Sequence, residues 1–503
     1  MRMPRIINTI DKFIEIGWLL IFGLSPIFFC PWVYGTWQVA EAFLFQILTE
    51  IIVFAWLLKL IFETRTNADT DAELRGKSLR KSAFSQRQSA YPSAVRMILP
   101  AIIFIIVLGL ATIFSQSPYQ SFFGYYQRKM GYLMWLHLFI FFLVLFSGLK
   151  SKEQIQRIFY VICGSAAIVA IYGFMQIFGW EIFPWSEQAY FSYRIFSTLG
   201  QPNFLASWLL LAIPVVIWVL FILSEQSSDT RTNADGTQTN AENFSVSQRR
   251  VSVSQRYARS ASWRRAHMLR PMIFCLFLLI IFNLVLTQSR GGWFGFLVAF
   301  FFFMIIFCCL KKQKRAVIMF SVFCFLLIVT GFYFNLHPLT IKESDPALVV
   351  RVKTLTQLSA SGKLRLMWWK NSLDLIKQKP ILGYGPETQV FNFVRYYEPE
   401  FGALEAINTY PDRAHNDILD TLLISGILGL GAYLFLIGSA FYFGLRKITQ
   451  LTKQLINQVT ILALLAGLAG YLVSLQFSFH IIPTAIYFWG YLAIILKMTN
   501  LKQ

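Results

Sequence analysis

The feature that most constrains this chain is a succession of apolar runs, each about twenty residues long. A helix of about that length crosses the ~30 Å hydrocarbon layer of a bilayer with every backbone group bonded internally. About twelve such runs lie near 13–32, 41–62, 97–115, 131–149, 157–179, 203–223, 272–288, 292–310, 316–335, 417–444, 458–478 and 481–498. A spanning β-barrel would instead show short alternating strands. The expected fold is therefore all-α: a polytopic membrane protein with about twelve transmembrane helices in a single membrane domain over 1–503. Composition agrees, with 56% hydrophobic and only 14% charged residues in 503. The first run lacks a small-residue cleavage site and reads as a retained helix.

The formal net charge is +20. Its distribution argues against nucleic acid and for membrane topology. Arg2, Arg5 and Lys12 precede or open the first run, Arg65 to Arg87 follow the second, and Lys150, Lys152 and Arg157 follow the fourth. Arg249 to Arg270 follow the sixth, "KKQKR" the eighth and "RKITQLTKQ" the tenth. If the spans alternate, all of these fall on one side, which the positive-inside rule makes the cytoplasm. The expected location is the cytoplasmic (inner) membrane, with both termini cytoplasmic. Two insertions, 63–96 and 224–271, share "TRTNAD" and are rich in Ser, Thr, Asn, Gln and Arg. They read as disordered, solvated spacers, although their basic residues also suit anionic membrane lipids.

The opposite face is poor in positive charge except in one long extracytoplasmic loop, 336–416. Within it, Leu366, Trp369, Leu373 and Ile376 recur at helical spacing, which predicts an interfacial amphipathic helix of about fifteen residues ending before Pro380. Trp368 and Trp369 suit a membrane interface.

Basic residues on that face oppose the topology rule, so a function explains them better. Arg290 stands in "TQSRGGWFGF", at the rim between two spans. Its guanidinium suits bidentate pairing with phosphate oxygens. Arg365 opens the interfacial helix. Arg194 precedes a Gly-Gln-Pro-Asn turn in which Asn203 can cap the next helix. Arg128 flanks the fourth span beside Tyr125 and Tyr126. His415 stands where the long loop meets the membrane again, followed by Asn416 and Asp417. It can act as a general base or cap the next helix. Asp420 lies one turn into the apolar stretch and wants an arginine or a catalytic group as partner. The five histidines are scattered and the six cysteines lie in apolar runs, without metal-ligand or disulfide spacing.

Taken in order, "SPYQSFFGYYQRKMGYL", "RIFSTLGQPNFLA", "SRGGW", "RLMWWKNSLDLIKQKPILGYG" and "AHNDILDTLLISGILGLGAYL" resemble segments of the O-antigen ligase and O-antigen polymerase (Wzy-type) superfamily. The resemblance covers roughly 100–480 and omits the two insertions. It implies a glycan transferase of surface polysaccharide biosynthesis, and a base and leaving group set on opposite sides of the anomeric carbon predict that transfer proceeds with inversion. The implied donor is a polyprenyl-diphosphate-linked glycan, and the acceptor a glycolipid, a glycan or a protein. No cofactor or metal is implied. It further implies that Arg290 and Arg365 hold the donor diphosphate and that His415 activates the acceptor hydroxyl. Arg194, Arg128, Asn203, Asn416 and Asp420 are the remaining candidates for substrate binding. A lipid-linked-oligosaccharide flippase or transporter is the main alternative. Its usual intramembrane ionisable groups have counterparts in Glu50, His137 and Asp420, but matching halves are not evident.

Overall fold

The computed structural model describes residues 2–33, 35–73, 80–182, 194–237, 267–336, 349–350, 353, 360–405, 410–451 and 454–500. Among these, all regular structure is helical. Nine helices in the described residues are long and apolar enough to cross a membrane, and Tyr132–Gly148 is a shorter apolar one. The chain is an all-α, multi-pass membrane protein.

In chain order the main helices are α1 (Arg2–Leu24), α2 (Gln38–Glu73), α3 (Arg80–Ile113), α4 (Pro118–Phe123), α5 (Tyr132–Gly148), α6 (Lys152–Ile177) and α7 (Pro202–Thr237). They continue with α8 (His267–Leu286), α9 (Arg290–Leu310), α10 (Lys314–Leu336) and α11 (Ala360–Gln378). The short α12 (Gln389–Phe393) and α13 (Pro399–Leu404) precede α14 (Asp417–Gln450), α15 (Leu455–Ser474) and α16 (Ile482–Asn500). The first helix starts earlier than hydropathy suggests, because its basic first turns are also helical, and it stops just before Ser25 and Pro26. Helix also runs into both insertions: α2 continues to Glu73, α3 begins at Arg80 and α7 reaches Thr237. Residues 74–79 and 238–266 lie outside the described residues.

The last helix is the pillar of the bundle. It packs against α1, α2, α3, α5, α7, α14 and α15. Its mean hydropathy, 1.3, is the lowest of the nine spans, yet it is the most buried. Inside a bundle a polar group needs only a partner. The Tyr487 hydroxyl donates to the Phe22 carbonyl at 2.7 Å and the Tyr491 hydroxyl to the Leu211 carbonyl at 2.9 Å. Both bonds tie the pillar to its neighbours. Beside it, α9 and α15 cross at glycines. A Cβ on Gly295 would stand 2.5 Å from the Gly470 carbonyl oxygen, so the helices meet backbone to backbone.

The 417–450 helix is broken at Gly426, where φ is 63° and ψ −165°, a conformation essentially restricted to glycine. A break at membrane depth frees backbone groups that lipid cannot satisfy. The segment 380–385 supplies the partners. Tyr384 N–H bonds to Leu423 O at 2.7 Å and Gly385 N–H to Ile424 O at 3.0 Å. Beyond the break, Ile427 N–H bonds to Pro380 O at 2.8 Å and Leu428 N–H to Ile381 O at 3.4 Å. The "ILGYGP" stretch therefore docks into the broken helix, with Tyr384 and Gly385 donating on one side of the break and Pro380 and Ile381 accepting on the other. Gly426→Ala forces an L-residue into that conformation, at a cost on the order of 1–3 kcal/mol, and drives its Cβ into the Ile381 carbonyl. The expected result is a lower melting temperature in detergent and reduced activity. An unchanged melting temperature would mean that the break is not glycine-dependent.

The helix expected in the long loop is α11, but its face is rotated by about one residue. Leu364, Trp368, Asn371, Ser372 and Leu375 are buried, while Leu366 and Leu373 are exposed. Both tryptophans make contacts within the protein: Trp368 packs on Phe401 and His415, and the Trp369 indole donates to the Ala414 carbonyl at 3.0 Å.

Candidate active site

Helix direction alternates through the bundle, so the ends near residues 25, 115, 130, 200, 288, 416 and 478 meet at one face. Every candidate residue lies there. His415 closes the segment 410–416. The next residue, Asn416, caps α14: its side-chain oxygen accepts from Leu419 N–H at 3.1 Å, and its amide donates to Gln476 O at 3.2 Å. Capping thus falls to Asn416, and the imidazole is left for another task.

His415 has a φ of 53°, in the left-handed region that a non-glycine residue rarely adopts. The peptide before it is held at both ends. Ala414 N–H donates to Asp420 Oδ1 at 2.7 Å, and Ala414 C=O accepts from Trp369. Asp420 therefore fixes the backbone that carries His415. The imidazole stacks on Trp368, with centroids 5.4 Å apart, and meets Phe479 edge-on at 5.1 Å. Among the described residues its ring makes no hydrogen bond. Loss of water around it, chiefly, pushes its pKa down to about 4, with Arg365, Arg128 and Arg413 adding to that and Asp412 opposing it. The half-buried ring is consequently neutral at neutral pH.

Arg128 is joined to Asp412 by a 2.6 Å Nε–Oδ2 ion pair and lies 4.8 Å from the Phe479 ring centroid. With its amide oriented to suit its neighbours, Gln38 also accepts from Arg128 Nη1 at 2.9 Å. Arg365 is half-buried in the second turn of α11, near enough to His415 to act on its charge. Arg290 opens α9. Ser289 caps that helix, its hydroxyl accepting from Gly292 N–H at 3.3 Å, so the positive end of the helix backs the arginine. Arg194 donates to the Thr287 carbonyl at 2.9 Å and to Asn203 Oδ1 at 3.3 Å. Asn203 is therefore not the cap expected of it: α7 starts at Pro202, and Asn203 sits in its first turn as the acceptor for Arg194.

The turn 475–480 draws these parts together. Gly291, next to Arg290, lies against Phe477. Gln476 holds Asn416, and Phe479 touches His415, Arg128, Arg413 and Phe204. Behind it, His480 Nε2 faces Asp417 at 3.4 Å and the Tyr433 hydroxyl at 3.1 Å, while Nδ1 faces the Tyr471 hydroxyl at 2.8 Å. This buried network fixes the turn and the start of α14 to each other. Sequence reading passed over Phe479, Glu387, Asp412, Arg413 and His480. Only Arg413 carried a signal, a basic residue two places before His415.

Among the described residues no cluster of histidine, cysteine and carboxylate side chains has the arrangement of a metal site. The arrangement offers a neutral base flanked by fixed cations, which suits transfer to a hydroxyl with departure of an anion.

Residues 275–434 match the O-antigen ligase family. The chain is 28% identical over 152 residues to a general O-oligosaccharyltransferase of Acinetobacter baylyi, covering 30% of this chain and 25% of that protein. It is 28% identical over 169 residues to a putative polysaccharide ligase of Rickettsia prowazekii, covering 33% of this chain and 38% of that protein. The matched segments thus span well under half the length of these curated relatives.

Proposed function

We propose, for a chain that belongs to the O-antigen ligase superfamily through residues 275–434, that it transfers a lipid-diphosphate-linked glycan to an acceptor hydroxyl at the extracytoplasmic face of the membrane. The observation that carries this is the placement of the His415 imidazole, stacked on Trp368, edge-on to Phe479 and without a hydrogen bond among the described residues, with Arg128, Arg365 and Arg413 near enough to act on its charge. In this reading His415 takes the proton of the acceptor hydroxyl as that oxygen attacks the anomeric carbon. Arg290 and Arg365 neutralise the departing diphosphate, the role in which a fixed cation contributes most. Base and leaving group then lie on opposite sides of the sugar, so the anomeric configuration inverts. Arg194 with Asn203, and Arg128 with Asp412, shape the walls of the site. The donor's lipid stays in the bilayer while its diphosphate reaches the rim at Arg290.

The deciding experiment uses purified protein in liposomes with a polyprenyl-diphosphate-linked oligosaccharide and a candidate acceptor. Formation of the glycan–acceptor product with inverted configuration is expected. Movement of the donor across the bilayer without transfer would instead identify a flippase.

The same reading fixes the topology. In a cysteine-free background, Lys363→Cys is expected to react with an impermeant thiol reagent from outside intact spheroplasts, and Gln313→Cys only after permeabilisation. Both positions are exposed. Equal labelling of the two in intact spheroplasts would overturn the orientation.

A further inference from the structure

Arg413 is buried, with 7% of its surface exposed, and forms an ion pair with Glu387, which is 6% exposed. Burial chiefly draws the Arg413 pKa down, to about 10, against the pull of Asp420 and Asp417, so it remains a cation at neutral pH. A guanidinium enclosed in this way, already matched by a carboxylate, is poorly placed to reach a substrate phosphate. Its contacts lead elsewhere. It lies 5.1 Å from the centroid of Phe479, whose ring meets the imidazole of His415 at 5.1 Å. It is also two residues before His415, in a segment whose other members are tied down: Asp412 to Arg128, Ala414 to Asp420 and Trp369. Glu387 extends the linkage, since its Oε2 accepts from Tyr125 N–H at 3.2 Å. Three segments distant in sequence are thereby joined: 118–131, 384–393 and 410–416.

We propose that Arg413, seated by Glu387, is the positioning residue of His415, holding the imidazole in its productive orientation through the Phe479 ring and through the backbone of 413–415. Lone burial of an ion pair seldom adds stability over an apolar pair of similar shape. A positioning role gives this pair a reason to be there. The proposal rests on the reading of His415 as the base. The charged groups around that base are Asp412, Arg413 and Asp417 on its own segment and helix, Arg128 from 118–131, Arg365 from α11, Glu387 from 384–393 and His480 from the 475–480 turn.

The test compares wild type, Arg413→Lys, the double variant Arg413→Gln/Glu387→Gln and His415→Gln in the liposome transfer assay. Each is checked first for a wild-type melting temperature. The double variant removes both members of the ion pair, and the melting temperature reports whether the buried Asp420 and Asp417 tolerate the loss of Arg413. The expected result for it is a kcat at least about tenfold lower, as for a loosened base, with donor KM within about twofold of wild type. The acid limb of its kcat/KM profile should move upward only slightly, because burial, the main cause of the lowered pKa, remains and Arg413 is the smallest of the cations that add to it. Arg413→Lys should recover part of kcat and return the limb, since it restores the charge without the planar group. A double variant that keeps both kcat and the acid limb of wild type would overturn the proposal. So would a fall in kcat that Arg413→Lys does not partly restore, which marks a merely structural role. If His415→Gln itself retains wild-type turnover, the failure lies with the base assignment and not with Arg413.

Discussion

Replacing His415 with glutamine is expected to lower the rate of glycan transfer by about 10²–10⁴-fold, the usual contribution of a general base. Donor binding should be nearly unchanged. Glutamine preserves a hydrogen-bonding side chain over Trp368 and beside Phe479 but cannot accept and pass on a proton. The helix start should survive, because Asn416 makes the cap. Wild-type kcat/KM should then carry an acid limb near pH 4, where the enclosed ring takes up its proton, and not near the ordinary histidine value of about 6.5. The sign follows from the lowered pKa: the base is competent above about 4 and lost as pH falls through it. Folding stability moves the same way. The contribution of the neutral ring is complete above the unfolded value and is lost as pH falls towards the folded one. Wild-type turnover by the glutamine variant, at any pH, would move the base elsewhere.

Arg290→Ala is expected to reduce transfer by about 10²–10³-fold, comparable to loss of one fixed group that stabilises developing negative charge. Unlike the histidine variant, it should also weaken donor retention, since the diphosphate carries charge before as well as after the bond breaks. Arg290→Lys should restore only part of the loss: lysine offers a point charge without the planar fork. The measurement is kcat together with donor KM, in protein whose melting temperature is unchanged. Ser289 and Gly292 keep the cap of α9 in either variant, so the fold should hold. A full-activity alanine variant would remove Arg290 from the site.

Hydropathy made the helical class legible, because about twenty apolar residues can do little else in a bilayer. It did not reveal which helix would be central. The span of lowest hydropathy, α16, is the innermost, since a partnered tyrosine costs little inside a bundle and hydropathy measures only the exchange with water. The candidate site was legible where residue type and position conflict with lipid, as with Arg290, Asp420 and His415. It was not legible where contacts join distant segments. Phe479 lies more than sixty residues from His415 and Glu387 twenty-six before Arg413, and no local pattern records either meeting. The tryptophans of α11 show the opposite error. Aromatic residues near an interface invite a lipid explanation, whereas Trp368 and Trp369 serve as the wall and the tether of the imidazole.

The docking of 380–385 into the broken α14 has a consequence for how substrates are handled. Through it, the segment that follows the Arg365 helix is hydrogen-bonded to the helix that begins just after His415, and Trp369 of the Arg365 helix bonds to Ala414 beside His415. On the proposed reading, the spacing between the cation that meets the leaving group and the base is set in the empty protein before anything binds. Moving α11 and the segment after it away from α14 would break these four main-chain bonds beside an apolar span, where lipid offers no replacement. On the proposed reading both substrates come to this bonded frame from outside it, the lipid-borne donor sideways from the bilayer and the hydroxyl-bearing acceptor from the aqueous side. Rigidity of this kind avoids the entropy of assembling the reacting groups at each turnover. It also means that a one-residue insertion at Leu382 would set the donors of Tyr384 and Gly385 out of register with the acceptors of Pro380 and Ile381, and so disturb the placing of Arg365 against His415 while leaving both residues intact.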